Sequence, residues 1–385
     1  MTARVAMTNA LCPSLQSLQS LPSLQSLQSF RSFDCVAKAP FHHMLSTIDD
    51  TLPLLAAPTP RLAALLGGAG RARALQRWLW REGLPRELPE EIPGLGRRVW
   101  QEARPRLVLP EWHLVSERRA ADGTRKLAID FAGAVVETVL IPGPQRSTVC
   151  LSSQAGCTRS CAFCATATLG FRRQLSAAEI VAQYLLAQRL APPGKPARNV
   201  VFMGMGEPFD NLDEVLAAVA ILTQAPQPAL SPAHVTVSTS GVVPAMRRFL
   251  AESTACLALS LNATTDELRQ RLMPHNWLWP IAALLETLRV HAAGRVVFVE
   301  YVLFEEVNDG VADADRLATL LDGIAARVNL IPFNGFAGST FRAPAPARVA
   351  AFQKRVAAAG LRCLVRAARG ADIEGACGQL AGAAR

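Results

Sequence analysis

The chain lacks any run of about 18 or more apolar residues, although half of its 385 residues are apolar. Because a transmembrane helix needs such a run, a membrane-spanning protein is not expected. Charged residues are also scarce, at 18%, so the composition excludes a disordered chain and permits a sizeable buried core. Acids are outnumbered by Lys and Arg, 31 to 40, which gives a net charge of +9. This surplus is compatible with a polyanionic partner without establishing one.

The chain also lacks an evenly spread, even-numbered set of cysteines. There are nine, and Cys157, Cys161 and Cys164 lie within eight residues of one another. The odd count and the clustering argue against a secreted disulfide scaffold and favour a reduced, cytoplasmic compartment with a metal or redox site. The six histidines show no metal-ligand spacing, so none is assigned a role.

The first 43 residues differ in composition from the rest. Residues 14–29 repeat Ser, Leu and Gln with a period of three, which suits neither a helix nor a strand. Residues 1–43 are therefore predicted to be a disordered low-complexity extension. Three basic residues against one acid make a transit peptide one interpretation. The other is that translation starts at Met44.

Two small segments follow. Residues 44–110 are predicted to form a helical accessory domain, because RARALQRWLWREGL has helical apolar spacing. Between Arg61 and Arg106 there are ten arginines and five glutamates, which suggests an RNA-facing appendage. A helical cap with solvated arginines is the alternative. Residues 111–147 are predicted to form antiparallel strands that lead into the core.

Residues 148–385 alternate strands with helices, and this order predicts parallel strands with right-handed crossovers. The fold class is α/β, a partial, open parallel β/α barrel of about six units, in which chemistry is expected at the carboxyl ends of the strands. The predicted strands are Thr148–Ser152, Asn199–Met203, His234–Thr239, Cys256–Leu261, Val296–Leu303, Arg327–Ile331 and Leu361–Val365. The predicted helices are Ala177–Leu190, Leu212–Thr223, Val243–Ala251, Ile281–Ala292, Ala312–Ile324 and Pro346–Ala359.

The strongest motif is C-x3-C-x2-C, formed by Cys157, Cys161 and Cys164 directly after the first of these strands. Three thiolates can hold three corners of a [4Fe–4S] cluster and leave one iron open to a ligand. Zinc is the main alternative, but structural zinc sites require four ligands and no obvious fourth lies nearby. A chance cluster of cysteines is the second alternative.

This motif, with Phe163 before its third cysteine, resembles the signature of the radical S-adenosylmethionine superfamily. The resemblance implies a [4Fe–4S] cluster whose open iron binds S-adenosylmethionine. A Gly-x-Gly turn alone is a weak signal, but Val200–Pro208, VVFMGMGEP, resembles the superfamily element that holds the methionine amine. Its glycines would let the backbone approach a ligand closely.

Four further stretches narrow the resemblance: VETVLIP around Glu137, TVCLSSQAGC from Thr148, VTVSTSGVVP from Val235 and RGADIEGACGQLAG from Arg369. They resemble the dual-specificity adenine C2 methyltransferases of 23S ribosomal RNA and transfer RNA, together with their C8-modifying relatives. The family implies a cytoplasmic monomer that acts on RNA and receives electrons from a donor such as flavodoxin or ferredoxin.

The resemblance also implies roles for single residues. Cys157, Cys161 and Cys164 would ligate the cluster. The expected contacts to S-adenosylmethionine are Gly206, Glu207, Ser238, Ser260, Leu261, Asn262 and Asn334. The family commonly has His where this chain has Asn262, which puts that one contact in question.

Three residues would carry the reaction that the resemblance implies. Cys377 would accept a methyl group, which a radical then activates for addition to adenine. Glu137 would remove the ring proton, and Cys150 would attack the sulfur of Cys377 to release the product as a disulfide forms. Judged from the residues alone, a Cys in an apolar strand is usually a small buried hydrophobe. Cys256 and Cys363 are therefore predicted to be buried residues without a role in the reaction.

Charge favours an RNA substrate. Residues 323–371 contain eight basic residues and no acid, and residues 145–200 contain seven basic residues and one acid. Both stretches adjoin the expected site, and Arg and Lys neutralise phosphate in a sequence-independent way. The alternatives to a C2 methyltransferase are a C8 methyltransferase and a non-catalytic iron–sulfur protein that binds RNA.

Overall fold

The computed structural model describes residues 51–224 and 230–381. The predicted extension, residues 1–43, and both interpretations of it lie outside the described residues. The described chain begins with a short parallel strand pair and three helices: β1 (Leu52–Pro53), β2 (Leu107–Val108), α1 (Thr59–Leu66), α2 (Ala69–Glu82) and α3 (Arg97–Ala103). Leu75 and Leu79 of α2 are buried, as the helical spacing predicts.

The predicted antiparallel strands are confirmed. They are β3 (His113–Arg119), β4 (Arg125–Phe131) and β5 (Ala134–Pro142). Gly123 and Gly133 lie in the two connecting turns with φ of 84° and 85°, a conformation that glycine adopts without strain. β3 is the edge strand of the sheet and is exposed along its whole length.

Strand-then-helix alternation also holds as predicted. The strands are β6 (Ser147–Cys150), β7 (Gln154–Gly156), β8 (Phe171–Gln174), β9 (Ala197–Phe202), β10 (Val235–Thr239), β11 (Cys256–Ser260), β12 (Val297–Leu303), β13 (Ala326–Pro332) and β14 (Arg362–Val365). A ten-stranded sheet runs in the order β14-β13-β12-β11-β10-β9-β6-β5-β4-β3, and β7 and β8 form a separate hairpin. The strands from β6 to β14 in this sheet pair in parallel, which is the architecture of an open β/α barrel.

Seven helices accompany these strands: α4 (Ala177–Gln188), α5 (Leu212–Thr223), α6 (Val243–Glu252), α7 (Asp266–Leu272), α8 (Ile281–His291), α9 (Val311–Leu320) and α10 (Pro346–Ala358). Six of them match the predicted helices to within a few residues, whereas α7 was not predicted. The α4 helix starts at a capping box, in which Ser176 and Glu179 satisfy each other's backbone amides. Thr265 caps α7 by accepting a hydrogen bond from the Leu268 amide.

One continuous apolar core runs from Leu52 to Leu380, so the N-terminal helices pack on the same core as the barrel. A second, smaller core lies beneath the cysteine loop and contains Phe304 and Phe333. Phe163 packs on it, with its ring centroid 5.4 Å from that of Phe304. None of the described helices has the length and apolar character that a membrane span requires.

Candidate active site at the carboxyl ends of the strands

The three clustered cysteines lie on the loop after β7 and line one cavity of about 170 Å³. Backbone hydrogen bonds tie this loop to the barrel: the Cys157 amide donates to the Gly170 carbonyl, and the Ala162 amide donates to Leu272 at the end of α7. Burial raises the pKa of the Cys157 thiol to about 12 and raises the pKa of Cys161 further. Such thiols become thiolates when a metal replaces the proton.

The donor set fits a cluster better than a zinc ion. Structural zinc sites take four ligands, and no fourth cysteine and no histidine is among the described residues that line this cavity. The three thiols instead surround a cavity, which is the arrangement that a three-ligand iron–sulfur cluster needs. Arg159 lines the same cavity, and its buried Nε has no hydrogen-bond partner among the described residues, so a donor remains for a ligand.

The turn after β9 closes the cavity on one side and carries Gly206 and Glu207. The Glu207 side chain is buried, and its carboxylate accepts hydrogen bonds from the Ser240 amide at 2.7 Å and the Phe209 amide at 3.0 Å. Burial raises the pKa of this carboxyl group, and these amides oppose the rise. Glu207 is thus fixed in place at the cavity wall.

The glycines of this turn permit close packing against the chain itself. A Cβ on Gly206 would lie 2.5 Å from the Gln154 Cβ, and one on Gly204 would lie 2.7 Å from the Leu151 carbonyl oxygen. Gly206 also has φ of 100°. Both glycines pack closely against the chain and also line the cavity, so the close approach of their backbone to a ligand stays a prediction.

Side chains from the ends of β10 and β11 complete the wall. Ser238 and Ser260 line the cavity, with their hydroxyl oxygens 3.3 Å apart. Asn262 also lines it and has φ of 60°, a left-handed conformation in which Asn is enriched. Its Oδ1 accepts a hydrogen bond from the Val302 amide. Asn at this position is thus explained by backbone conformation.

Two of the predicted cofactor contacts lie elsewhere. Leu261 is fully buried and is not among the residues that line the cavity. Asn334 lines a second cavity instead, where its Nδ2 donates to the Cys377 carbonyl at 3.1 Å. The family resemblance placed Leu261 among the cofactor contacts, but this residue follows the end of β11 and its side chain packs in the core, so that contact stays a prediction.

The second cavity, of about 320 Å³, is lined by both Cys150 and Cys377. Cys150 ends β6 and is buried, and burial raises the pKa of its thiol to about 12. Cys377 is solvent-exposed and lies in the segment after β14. Desolvation in the cavity raises the pKa of its thiol, and the Arg366 guanidinium opposes that rise. Two cysteines far apart in sequence are thereby brought to one site.

The two cavities adjoin, because Met203 and Ile331 line both of them. An ion pair also joins them: Arg366, which is partly exposed, lines the second cavity, the buried Glu300 lines the first, and their side chains lie 3.4 Å apart. Burial raises the pKa of the Glu300 carboxyl group, whereas Arg366 and Asn329 lower it. Neither Glu300 nor Arg366 was among the site residues predicted from the sequence.

Glu137, the expected proton acceptor, is buried behind the second cavity rather than among its lining residues. Its carboxylate lies 2.9 Å from the Lys126 ammonium and accepts a hydrogen bond from the Ala381 amide. Lys126 also donates to the Glu374 carbonyl. The pair therefore ties the segment that carries Cys377 to strands β4 and β5.

Comparisons with known proteins agree with this geometry. The Radical SAM superfamily model matches residues 151–318. The "Probable RNA methyltransferase sce1580" of Sorangium cellulosum (strain So ce56) is 49% identical over 280 residues, covering 72% of this chain and 70% of that protein. The "Dual-specificity RNA methyltransferase RlmN" of Anaeromyxobacter sp. (strain Fw109-5) is 44% identical over 339 residues, covering 84% and 89%. A solved structure of a radical SAM methyltransferase from Sphaerobacter thermophilus has a TM-score of 0.77 at 39% identity and covers 87% of this chain and 98% of its own.

Proposed function

The chain belongs to the family of radical S-adenosylmethionine RNA methyltransferases, and from that premise we propose that it methylates carbon 2 of adenine in ribosomal and transfer RNA. This carbon is an electron-poor sp2 centre between two ring nitrogens, so polar methyl transfer from a sulfonium fails there. The observation that carries the proposal is that Cys150 and Cys377 line one cavity, which adjoins the cavity with three thiols.

Cys157, Cys161 and Cys164 would hold a [4Fe–4S] cluster, and its remaining iron would bind S-adenosylmethionine. When bound, this pair supplies a one-electron cleavage that generates a carbon radical able to activate a methyl group. The polar wall of the first cavity orients the cofactor through Glu207, Ser238, Ser260 and Asn262. Asn334 acts at the second cavity, where it holds the backbone of Cys377.

Cys377 is the methyl carrier because it is exposed and lies beside Gly378, which has φ of 85° and allows the chain to turn sharply. Cys150 releases the product: its thiolate attacks the sulfur of Cys377, and the bond from that sulfur to the new methyl carbon breaks. The carbon takes up a proton, and the resulting Cys150–Cys377 disulfide is reopened by a dithiol reductant.

Addition of the carbon radical leaves one unpaired electron on the ring. Glu137 takes the proton from carbon 2 of the ring, and this electron would pass to the oxidised cluster that the three clustered cysteines would hold. Its carboxylate accepts from the Ala381 amide, next to Leu380, and Leu380 is part of the cavity wall. Glu137 is therefore separated from the cavity by the segment that follows Cys377. A bound adenine contacts Glu137 only when residues 378–381 shift.

Three further parts of the proposal follow from the family. A one-electron donor such as flavodoxin or ferredoxin reduces the cluster. The enzyme works as a monomer, and it works in the cytoplasm, where ribosomal and transfer RNA are found. The N-terminal helices, within the accessory domain assigned to residues 44–110, contact the RNA backbone through exposed arginines such as Arg73 and Arg77.

The variant Cys150→Ala tests the proposal, because it removes only the thiol that releases the product. Under anaerobic turnover with S-adenosylmethionine, dithionite and RNA, this variant should accumulate a covalent protein–RNA adduct at Cys377, detected by gel shift and peptide mass mapping. Cys256→Ala is the matched control, since Cys256 is the first residue of β11 and the cavities lie at the carboxyl ends of the strands. This variant should accumulate no covalent adduct. An absence of adduct from Cys150→Ala in a protein that holds its cluster would refute the assigned roles.

A further inference from the structure

Arg269 of α7 is a buried cation whose hydrogen-bond partners are all neutral. The residue is 2% exposed. Its guanidinium donates to the Leu261 carbonyl at 3.0 Å, the Ser260 carbonyl at 3.1 Å and the Asn276 Oδ1 at 2.8 Å, and also to the Ser240 carbonyl. Within the described part of the chain it forms no ion pair. Burial lowers the pKa of this group to about 10, so it remains positively charged at neutral pH.

A buried cation with no acid in direct contact is unusual, since buried cations normally form an ion pair. Arg159 shows the ordinary arrangement nearby: it is also buried, and its guanidinium pairs with the Asp210 carboxylate. Arg269 lacks such a contact partner: the Asp266 and Glu207 carboxylates stabilise its charged form from a distance, but neither forms a hydrogen bond with it. A ligand that brings negative charge to this place would add to the stabilisation that these carboxylates give.

The position of Arg269 indicates which ligand that is. Arg269 and Cys161 line one small hollow beside the three-thiol cavity. The four oxygens that accept hydrogen bonds from Arg269 lie at the ends of β10 and β11 and just after α7. Two of these oxygens belong to Ser260 and Leu261, which immediately precede Asn262 in the cavity wall.

We propose that Arg269 is a positioning residue that serves as the buried counter-charge of the iron–sulfur cluster and holds the β10 and β11 ends in the shape that receives S-adenosylmethionine. This inference rests on the proposed function. Reduction of the cluster adds one electron, which dithionite supplies in vitro, and a fixed positive charge at short range stabilises the more negative form. Arg269 therefore raises the reduction potential of the cluster.

Two substitutions of Arg269 separate the effect of its charge on the cluster from its effect on the shape of the β10 and β11 ends. Arg269→Gln removes the charge, and Arg269→Lys keeps it but loses the planar fork that bridges several carbonyls. Arg295→Gln is the matched control, because Arg295 likewise donates to two backbone carbonyls, of Leu250 and Ala255, but at the opposite ends of the strands. Each reconstituted holoenzyme is titrated with dithionite under electron paramagnetic resonance, and S-adenosylmethionine binding is measured by calorimetry.

At the wild-type midpoint potential, Arg269→Gln should lower the ratio of reduced to oxidised cluster about tenfold, which corresponds to about 59 mV for one electron. Arg269→Lys should change this ratio less than about threefold yet bind S-adenosylmethionine about tenfold more weakly. Arg295→Gln should match the wild type in both measurements.

The proposal is overturned if the clusters of Arg269→Gln and Arg295→Gln have the same reduction potential. It is equally overturned if Arg269→Lys lowers the reduction potential of the cluster as much as Arg269→Gln does. It is also overturned if Arg269→Gln fails to fold as the apo-protein, because the cation would then be needed before any cluster binds. A wild-type protein that forms no [4Fe–4S] spectrum at all would instead refute the proposed function.

Discussion

At the scale of single residues, the two thiols of the second cavity differ in their exposure to solvent, but the pKa of each is raised. Cys150 is buried, with its pKa raised to about 12, whereas Cys377 is exposed and its raised pKa is opposed by Arg366. Both groups are protonated thiols at neutral pH. Since the thiolate is the nucleophile, each gains reactivity as pH rises toward its pKa.

Alkylation of Cys377 should therefore accelerate about tenfold per pH unit between about pH 7 and 8, because that range lies below its raised pKa. Arg366→Gln should slow the reaction about threefold at a given pH, since it removes the cation that favours the thiolate. Iodoacetamide labelling followed by peptide mass spectrometry measures both effects. Arg362→Gln, an exposed residue of β14, is the control and should leave the rate unchanged. A labelling rate that levels off below pH 8 would contradict this account.

The sequence identified the residues whose chemistry is visible in their type and spacing, such as the three clustered cysteines. It did not identify Lys126, Arg269 or Glu300, because their roles depend on burial and on charges from other elements. Lys126 is a single lysine in an alternating strand, a pattern typical of a solvated side chain. Only the fold places it against the buried carboxylate of Glu137.

At the scale of elements, the segment that carries Cys377 is attached to the antiparallel strands by contacts of unequal strength. The buried pair of Lys126 and Glu137 is 6% and 2% exposed, whereas Arg118 and Glu374 form a pair that is about half exposed. Breaking a buried pair leaves an uncompensated charge, but an exposed pair contributes little. Lys126 is therefore expected to be the main attachment.

Lys126→Met should lower the free energy of unfolding by about 3–5 kcal/mol, because the buried Glu137 carboxylate would lose the ammonium that faces it. Arg118→Ala should cost less than about 1 kcal/mol. Urea unfolding measures both values, and hydrogen exchange of residues 370–381 should rise in the first variant only. Equal effects of the two substitutions would show that the buried pair is not the attachment.

Strand-and-helix alternation was predictable from the sequence because each barrel strand is a short apolar run followed by a periodic helix. The α7 helix was not predicted, because it has only seven residues and ends just before Pro274. Thr265 followed by Asp266 and Glu267 was the available signal, since a capping hydroxyl with acids in the first turn marks a helix start. The cavities themselves were not predictable, because they depend on how loops from several strands meet.

At the scale of the whole molecule, the basic surplus is less concentrated in space than in sequence. Residues 323–371 contain no acid, but five of their eight cations pair with acids from other elements. These are Arg342 with Glu305, Arg348 with Asp309, Arg355 with Asp315, Arg366 with Glu300 and Arg369 with Asp122. The stretch without acids that adjoins Cys377 is thus less basic in space than in sequence, because the fold brings acids from other elements to it.

Exposed arginines of α2 are better placed to bind an RNA backbone. Arg73 and Arg77 are one helical turn apart, and neither forms an ion pair with a described residue. Replacing both with Gln should weaken RNA binding and reduce the slope of log affinity against log salt by about 2. Arg248→Gln is the control, since Arg248 already pairs with Asp213 and Glu252. An unchanged slope would exclude α2 from the interface.

The central claim is that this chain adds a methyl group to carbon 2 of adenine through Cys377. The most direct measurement is nucleoside mass spectrometry of unmodified ribosomal and transfer RNA after incubation with the reconstituted enzyme, S-adenosylmethionine and dithionite. The account predicts 2-methyladenosine from the wild type and none from Cys377→Ala. Formation of 8-methyladenosine, or of no methylated adenosine by an enzyme that holds its cluster, would contradict it.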